Sequence, residues 1–571
     1  MRPSQLTYAL DDRPPLRVLL LSGLQHVAVI TVIGMVFPLL VADRAGVAVE
    51  TRQAIIGLSM LALGVTTLLQ CLRWGPIGSG FLAPAVFTAA YLPASLKAAE
   101  QGGMPLVLGM TIFAGISGVV LSRVVHRLRP YLPAEIAGLA VLVIGIILGT
   151  LGFRLVFTND AGLPHADPLL PRATVGLVVL AATAGLTIWG NGWLRQFAAL
   201  LGFAAGCLMA AALGTLAFPP GATGSAGLLA LPRPLGLVPS FDPALIPDFL
   251  VAALACALRA MGDITTCQKI NDPEWRRQDM PSVQRGLLAD GLGTVLAGLL
   301  GTVGTNTFSG SIGISVATGI TARRVAWAIG GIFLAMSALP PVWRLLAAVP
   351  LEVAGGVLLF SACFIIISGV QVIMTRMLDA RKTVLIGLSL ILGLTYDLFP
   401  DLYAAMPATL RGIFGSNLVV ALLTAILLNL LFRIGIARRA TLTLSGGSDP
   451  DLPYTFMEEH GSEWGARREV IAKVTAALVE FREHADDLLA AGSDARVEVS
   501  YDEFAIEMEI RYAGAAPDLP DDGAPKPDHL MQLSPDEAAV RLRTLLLSRL
   551  ADRVRTEQQG GEAVVRLHFT H

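Results

Sequence analysis

Arg259 and Asp263 stand four residues apart in ALACALRAMGDITTCQKIND, residues 253–272, an otherwise apolar stretch. An ionisable side chain inside a membrane span costs about 2.5 kcal/mol or more unless it meets a partner or a wet cavity. The spacing puts both charges on one helix face, where they can pair with each other. Alternatively, Arg259 faces a cavity, where its planar fork of donors grips a carboxylate or oxo group of an anionic ligand. Asp263, toward the expected inner end of the segment, is then a loop-proximal cap or a coupling group. Asp290, in LLADGLGTVLAGLL, is either a hydrogen-bonded packing group or a carboxylate that takes up and releases a proton. His26, with Gln25 beside it, is a satisfied packing contact or a polar group near a binding site. Phe81 and Phe308 pack in the core or stack on a planar ligand. Ser309 and Ser311 offer hydroxyl donors, whereas Gly310 offers only backbone or room.

Other chemistry is excluded by what the chain lacks. Cys71, Cys207, Cys256, Cys267 and Cys363 are scattered through apolar segments without metal-ligand spacing. No G-x4-GK[ST] phosphate loop occurs, and the apolar part has no Cys/His or Ser/His/Asp constellation. No catalytic residue, metal or cofactor is expected, so neither an enzyme nor an ATP-driven pump.

The elements that hold these groups are membrane helices. The 571 residues are 54% hydrophobic and 15% charged, with mean hydropathy +0.64, against about 25% charged in soluble chains. Apolar runs of ~20 residues, each able to cross ~30 Å of hydrocarbon, recur from Leu16 to Phe432. The first, RVLLLSGLQHVAVITVIGMVFPLLVA, is too long for a signal peptide's apolar region. About fourteen spans are predicted, near 17–42, 53–72, 82–98, 104–124, 134–153, 173–192, 196–217, 246–262, 284–303, 311–319, 324–344, 350–373, 381–398 and 416–436. Basic residues, among them Arg73, Arg123, Arg195, Lys269, Arg323 and Arg381, fall in alternate connections. The positive-inside rule places those loops, and with an even span count both termini, in the cytoplasm of a multi-pass inner-membrane protein.

The third and tenth spans are wrong for plain helices. RWGPIGSGFLAPAVFTAAYLP and GTVGTNTFSGSIGISVATGIT are broken by Gly, Ser and Pro. Such backbone at membrane depth is tolerated only inside protein or along a cavity. A matched pair of interrupted segments points to a transporter's binding site, the alternative being close helix packing. Two half-helices starting at mid-membrane direct their positive N-terminal ends into one cavity, which with Arg259 favours negative charge.

The chain divides into a tail (1–15), a membrane domain (16–440) and a cytoplasmic α+β domain of regulatory character (445–571). In the last, helices are predicted over 462–491 and 534–558, a hairpin over 495–514 and a strand over 562–571.

In this order, GLQHVAV, GSGF, AMGD, LLADGLGTVLAGLLGT, NTFSGSIGISVATGIT and EVAGGVLLF resemble the nucleobase-ascorbate transporter family, or nucleobase:cation symporter 2, over about residues 16–437. That family includes uracil, xanthine and uric acid permeases. The resemblance implies an all-α polytopic membrane protein with fourteen segments in two inverted seven-segment repeats and short strand-like breaks before spans three and ten. It also implies core and gate subdomains, proton-coupled symport by an elevator-like mechanism, and a homodimer. In the family a Glu precedes the xxGD of span eight, an Asp in span nine supports the site, and span ten reads Gln/Glu/Pro-Asn-x-Gly-x4-Thr. By position these fall on Arg259, on Asp290, and on Gly310, Ser311, Gly313 and Thr318. Here Glu has become Arg, Gln or Glu has become Gly, and Asn has become Ser. The expected substrate is therefore a nucleobase or an anionic oxopurine of the xanthine/urate type, moved with a proton. The alternative is a small organic or inorganic anion held by Arg259 and the half-helix N-termini. A membrane sensor signalling through the C-terminal domain is the reading from another class. Partners are the substrate, the proton and membrane lipid, with no nucleic acid.

Overall fold

The computed structural model describes residues 6–73, 75–128, 133–158, 169–215, 229–273, 275, 278–374, 378–407, 414–432, 437–445, 449–466, 468–483, 493–502, 505–514, 550–559 and 561–570. Two compact units divide the chain, Met1–Asn429 and Leu430–His571.

The first unit is helical. α1 (Leu16–Gly34) and α2 (Val36–Arg44) meet at Met35 in one long apolar run, followed by α3 (Val49–Cys71) and strand β1 (Ala85–Phe87). α4 (Leu92–Leu128) is interrupted at Gly103, whose φ of 65° a side chain would resist, so 92–102 and 104–128 are separate helices. Next come α5 (Ala134–Phe157), α6 (Leu169–Trp189), α7 (Trp193–Gln196), α8 (Ala198–Ala212), α9 (Ile246–Asn271), α10 (Met280–Leu300) and strand β2 (Thr305–Thr307). The unit continues with α11 (Ser309–Thr318), α12 (Arg324–Ser337), α13 (Pro340–Ala347), α14 (Leu351–Ile373), α15 (Ala380–Leu398), α16 (Pro400–Ala404) and α17 (Asn417–Phe432). Among the described residues seven helices are long and apolar enough to cross a membrane, or eight if α12 and α13 count as one span.

Two expected spans need correction. The eighth does not end at 262, because ITTCQKIN contains no helix breaker and α9 runs on to Asn271. Gln268 then closes the turn, its amide bonding both the N–H and the carbonyl of Asp279 at 3.0 Å. Asp263 is thus buried inside a helix and is no loop-proximal cap. The eleventh span is not straight: it bends by 84° where Pro340 and Pro341, without N–H groups, cannot continue α12.

The helices pack as two sets. In one, α5 runs antiparallel to α14 along a ladder of small residues, Gly138 opposite Gly369, Gly149 opposite Ala362 and Gly152 opposite Gly355. α6, α8 and α15 join this set. In the other, α4 crosses α10 at Gly115 and Gly291, with α3, α9 and α12 around them. Pro133-Ala-Glu135-Ile-Ala-Gly138 and Pro350-Leu-Glu352-Val-Ala-Gly355 open α5 and α14 alike, an internal repeat that sequence reading missed. Each glutamate pairs with a base from the opposite half, Glu135 with Lys382 at 3.2 Å and Glu352 with Arg172 at 3.3 Å.

Within the second set an ion pair ties α4 to α9. Lys97 of α4 donates to Asp248 of α9 at 2.8 Å and to the carbonyl of Gly415, just ahead of α17, at 3.2 Å. Asp248 is buried and its second oxygen has no hydrogen-bond partner. Lys97→Met leaves that carboxylate without a counter-charge, which costs toward the lower end of ~3–5 kcal/mol because Lys97 itself is partly exposed. We expect a lower Tm for the purified protein, partly recovered by adding Asp248→Asn. An unchanged Tm would show that the pair contributes nothing.

The second unit is a five-stranded antiparallel sheet in the order β3-β4-β5-β7-β6, formed by β3 (Arg438–Leu444), β4 (Ala495–Tyr501), β5 (Ala505–Ala513), β6 (Arg553–Gln559) and β7 (Glu562–Thr570). One face shares a core with α18 (Leu452–Glu463) and α19 (Arg468–Glu483) through Met457, Val474, Leu478 and Phe481. The hairpin and final strand match expectation, but three features differ. β3 crosses the expected 440–445 boundary, because the alternation in RATLTL buries Ala440 and Leu444 against the sheet. The first predicted helix begins only at Arg468, after Gly465 with its φ of 67°, and α18 ahead of that glycine was not expected; 484–491 lie outside the described residues. Residues 553–558, read as the end of a helix, form β6, paired with β7 across a turn at Gly561; 534–549 lie outside the described residues.

On the exposed face of this sheet Arg566 and Arg511 reach the Glu509 carboxylate at 2.7 and 2.5 Å. Partial burial, the largest single influence, pushes the Glu509 carboxyl up, but the hydrogen bonds and charges of the two arginines together hold it below the usual range. Its contribution to stability is present above the ordinary glutamate value of about 4.3 and is lost as pH falls through the depressed one. Glu509→Gln should therefore flatten the acid limb of a Tm-against-pH curve of the full chain, slightly, since the site is exposed. Parallel curves would contradict this.

Candidate substrate site

Two three-residue strands meet inside the first unit. β1 and β2 pair antiparallel, with Ala85 opposite Thr307, Val86 opposite Asn306 and Phe87 opposite Thr305. With no wider sheet, neighbouring helices complete the backbone bonding that burial requires. The Thr67 hydroxyl of α3 accepts from Ala85 N–H at 3.2 Å, and the Thr294 hydroxyl of α10 donates to the Thr305 carbonyl at 2.9 Å. A helix starts just beyond each strand, α4 at Leu92 and α11 at Ser309. α11 begins after Phe308 without a side-chain cap; the Ser311 and Ile312 N–H groups bond the Phe308 carbonyl, which leaves those of Ser309 and Gly310 for a ligand.

Arg259 and Asp263 project from the middle of α9 toward this junction, but not onto each other. The Arg259 Nε donates to Ser309 Oγ at 3.4 Å, and no carboxylate lies within ion-pair distance of its guanidinium among the described residues. Asp263 instead accepts from Thr307 Oγ1 at 2.7 Å. The Thr307 N–H donates to Asn306 Oδ1 at 2.7 Å, and Asn306 Nδ2 to the Cys256 carbonyl of α9 at 3.1 Å. Asp290 of α10 is buried within electrostatic range of both Arg259 and Asp263. Gly262, one turn on from Arg259, and Gly313, one turn on from Ser309, are exposed, and a Cβ added at either would meet nothing within 4 Å.

The other candidates divide. Phe308 folds its ring over Gly310, where a Cβ would stand 2.4 Å from it, so α11 presents backbone rather than a side chain there. Ser311 is fully buried with its hydroxyl unpartnered. His26 is 2% exposed and its Nδ1 has no partner; two turns along the same face of α1, Gly34 lies against Val86 of β1. Gln25 is buried beside it. Phe81 is partly buried where two clusters meet, that of Ala257, Ala260 and Ile264 of α9 and that of Ala83, Cys267 and Ile312, the last on α11. The Thr318 hydroxyl donates back to the Ile314 carbonyl at 2.9 Å and so serves its own helix. Sequence reading missed Thr307 and Asn306, although TNT ahead of Phe308 was a signal: a short buried strand needs side chains that satisfy polar neighbours.

A family model described as the permease family, Xan_ur_permease, matches residues 17–402. The xanthine permease XanP of Escherichia coli (strain K12) is 27% identical over 446 residues, 75% of this chain and 95% of that protein. The uric acid transporter UacT of the same organism is 25% identical over 440 residues, 76% and 90% of the two chains. Among solved structures, the transmembrane domain of a cyanobacterium bicarbonate transporter, BicA, gives a TM-score of 0.46 at 15% identity over 74% of this chain and 100% of that one, a likeness too weak to argue from.

Proposed function

This chain belongs to the permease family, and on that premise we propose that it carries an anionic oxopurine of the xanthine/urate class across the inner membrane together with a proton. It is a multi-pass membrane permease and not an enzyme. The observation that carries the anionic reading is the Arg259 guanidinium, which has no carboxylate within ion-pair distance among the described residues, beside the uncapped start of α11 and open space at Gly262 and Gly313. A neutral base would leave that charge uncompensated inside the membrane, whereas an anion supplies the partner that Asp263 does not. Asp290 and Asp263 are the groups proposed to take the proton, and His26 and Ser311 supply further polar contacts at the junction. The short strands with their half-helices support two inverted seven-segment repeats, and the two helix sets support an elevator-like motion of core against gate. A homodimer with its basic loops and both termini on the cytoplasmic side, and a regulatory second unit, complete the reading.

A second reading is favoured by Gly310. With no side chain at this position to read a base edge, the α11 backbone could equally hold a small organic or inorganic anion, with or without coupling. Uptake of labelled urate, xanthine and uracil into proteoliposomes, with and without an inward proton gradient and in competition with nitrate and oxalate, separates these. We expect urate or xanthine to accumulate only with the gradient and uracil to be excluded. Gradient-independent uptake would overturn coupling, and full competition by nitrate would favour the small anion.

A further inference from the structure

We propose that Thr307 is a positioning residue that keeps Asp263 from pairing with Arg259 and so leaves the guanidinium free for the substrate anion. This rests on the reading of Arg259 as the substrate's counter-charge. An arginine and an aspartate four apart on one helix face pair by default, and the attraction strengthens where water is scarce. Here they do not pair, although both sit on α9 at the same junction. The residues that separate them flank Phe308 where β2 passes into α11. Thr307 donates to Asp263 Oδ2 at 2.7 Å, while Ser309 accepts from Arg259 Nε at 3.4 Å and its side chain also interacts with Asp263, so it stands between the two charges. Thr307 is held rigidly: it is fully buried, paired with Ala85 across the two strands, and its N–H is bonded to Asn306 Oδ1 at 2.7 Å. The shorter bond is on the carboxylate, so Asp263 is the partner drawn aside, and Arg259 keeps a loose contact that a substrate can replace.

Without the Thr307 hydroxyl, Asp263 keeps only its Ser309 contact, which Arg259 shares, and it swings toward that guanidinium and competes with the substrate from within the chain. Thr307→Val is isosteric and removes only the donor. We expect the Kd of the purified full chain for labelled urate, with xanthine as a second probe, to rise at least about tenfold. Thr307→Ser keeps the donor and should bind within about twofold of the parent. In an Asp263→Asn background the competing charge is gone, so adding Thr307→Val should change Kd less than about twofold. A role in packing alone would instead weaken binding equally in both backgrounds.

Parent-like binding by Thr307→Val, or an equal loss in both backgrounds, overturns the proposal. If Thr307→Val does not fold, Thr307→Ala measured against Thr307→Ala/Asp263→Asn carries the same comparison. Arg259→Met decides the underlying reading separately. Parent-like binding by that variant, or a parent that binds neither probe, removes the anion site itself and the proposal with it. Loss in Arg259→Met with parent-like binding in Thr307→Val leaves the site standing and removes only the role of Thr307.

Discussion

Arg259→Met is expected to weaken urate binding by about 2–3 kcal/mol, roughly 30- to 150-fold in Kd, while leaving the protein folded. The loss is at the modest end for a charged contact because Arg259 is only half-buried, and folding is spared because no carboxylate is directly ion-paired with it among the described residues. Arg259→Lys keeps the charge but loses the planar fork, so it should fall between parent and Met. Arg259→Glu restores the residue type that the family resemblance implies at this position. It should lose urate and gain whatever neutral base the site can accommodate. Equilibrium binding of labelled urate and uracil to the three variants reads all of this, and urate binding unaffected in Arg259→Met would contradict it.

Gly291→Leu is expected to abolish a monodisperse, folded protein. A Cβ at Gly291 would stand 2.7 Å from the Val119 nitrogen and 3.0 Å from the Gly115 oxygen, and one at Gly115 would stand 2.5 Å from the Val295 nitrogen. All three are main-chain atoms, so no rotamer change relieves them and α4 must part from α10. Gly291→Ala already meets this obstacle and should cost at least ~1–3 kcal/mol, the usual range for overpacking. It also displaces the neighbouring Asp290, so transport should fall further than stability. Gly387→Ala is the control, since a Cβ there meets nothing within 4 Å. Fluorescence-detected size-exclusion chromatography and Tm compare the variants. A stable Gly291→Leu would show that the two helices are not held as described.

What sequence could reveal followed the range of the physics involved. The interrupted third and tenth segments were legible because Gly, Pro and Ser announce backbone that cannot be a plain membrane helix, and they became β1, β2 and the helices after them. Asp263 was legible as a buried charge but not as the partner of Thr307. The i,i+4 spacing shows which pair is available, and only the antiparallel register of β1 and β2 shows which donor arrives first. The 84° bend was written in Pro340 and Pro341 and masked by the apolar run around them. In the second unit, Arg553–Gln559 looked helical because an arginine-rich strand with an exposed face lacks the apolar alternation by which strands are recognised. The Glu135 and Glu352 pairs needed the two halves to be compared with each other, and neither segment alone shows them.

The central claim is that the site selects negative charge through Arg259. Its most direct test is ligand-induced thermal stabilisation of the purified parent and of Arg259→Glu by urate, xanthine, uracil, nitrate and oxalate at neutral pH. The prediction is that anions stabilise the parent, that uracil does not, and that Arg259→Glu loses the anion response. Stabilisation of the parent by uracil that survives in Arg259→Glu would contradict it, and would place Arg259 outside substrate recognition.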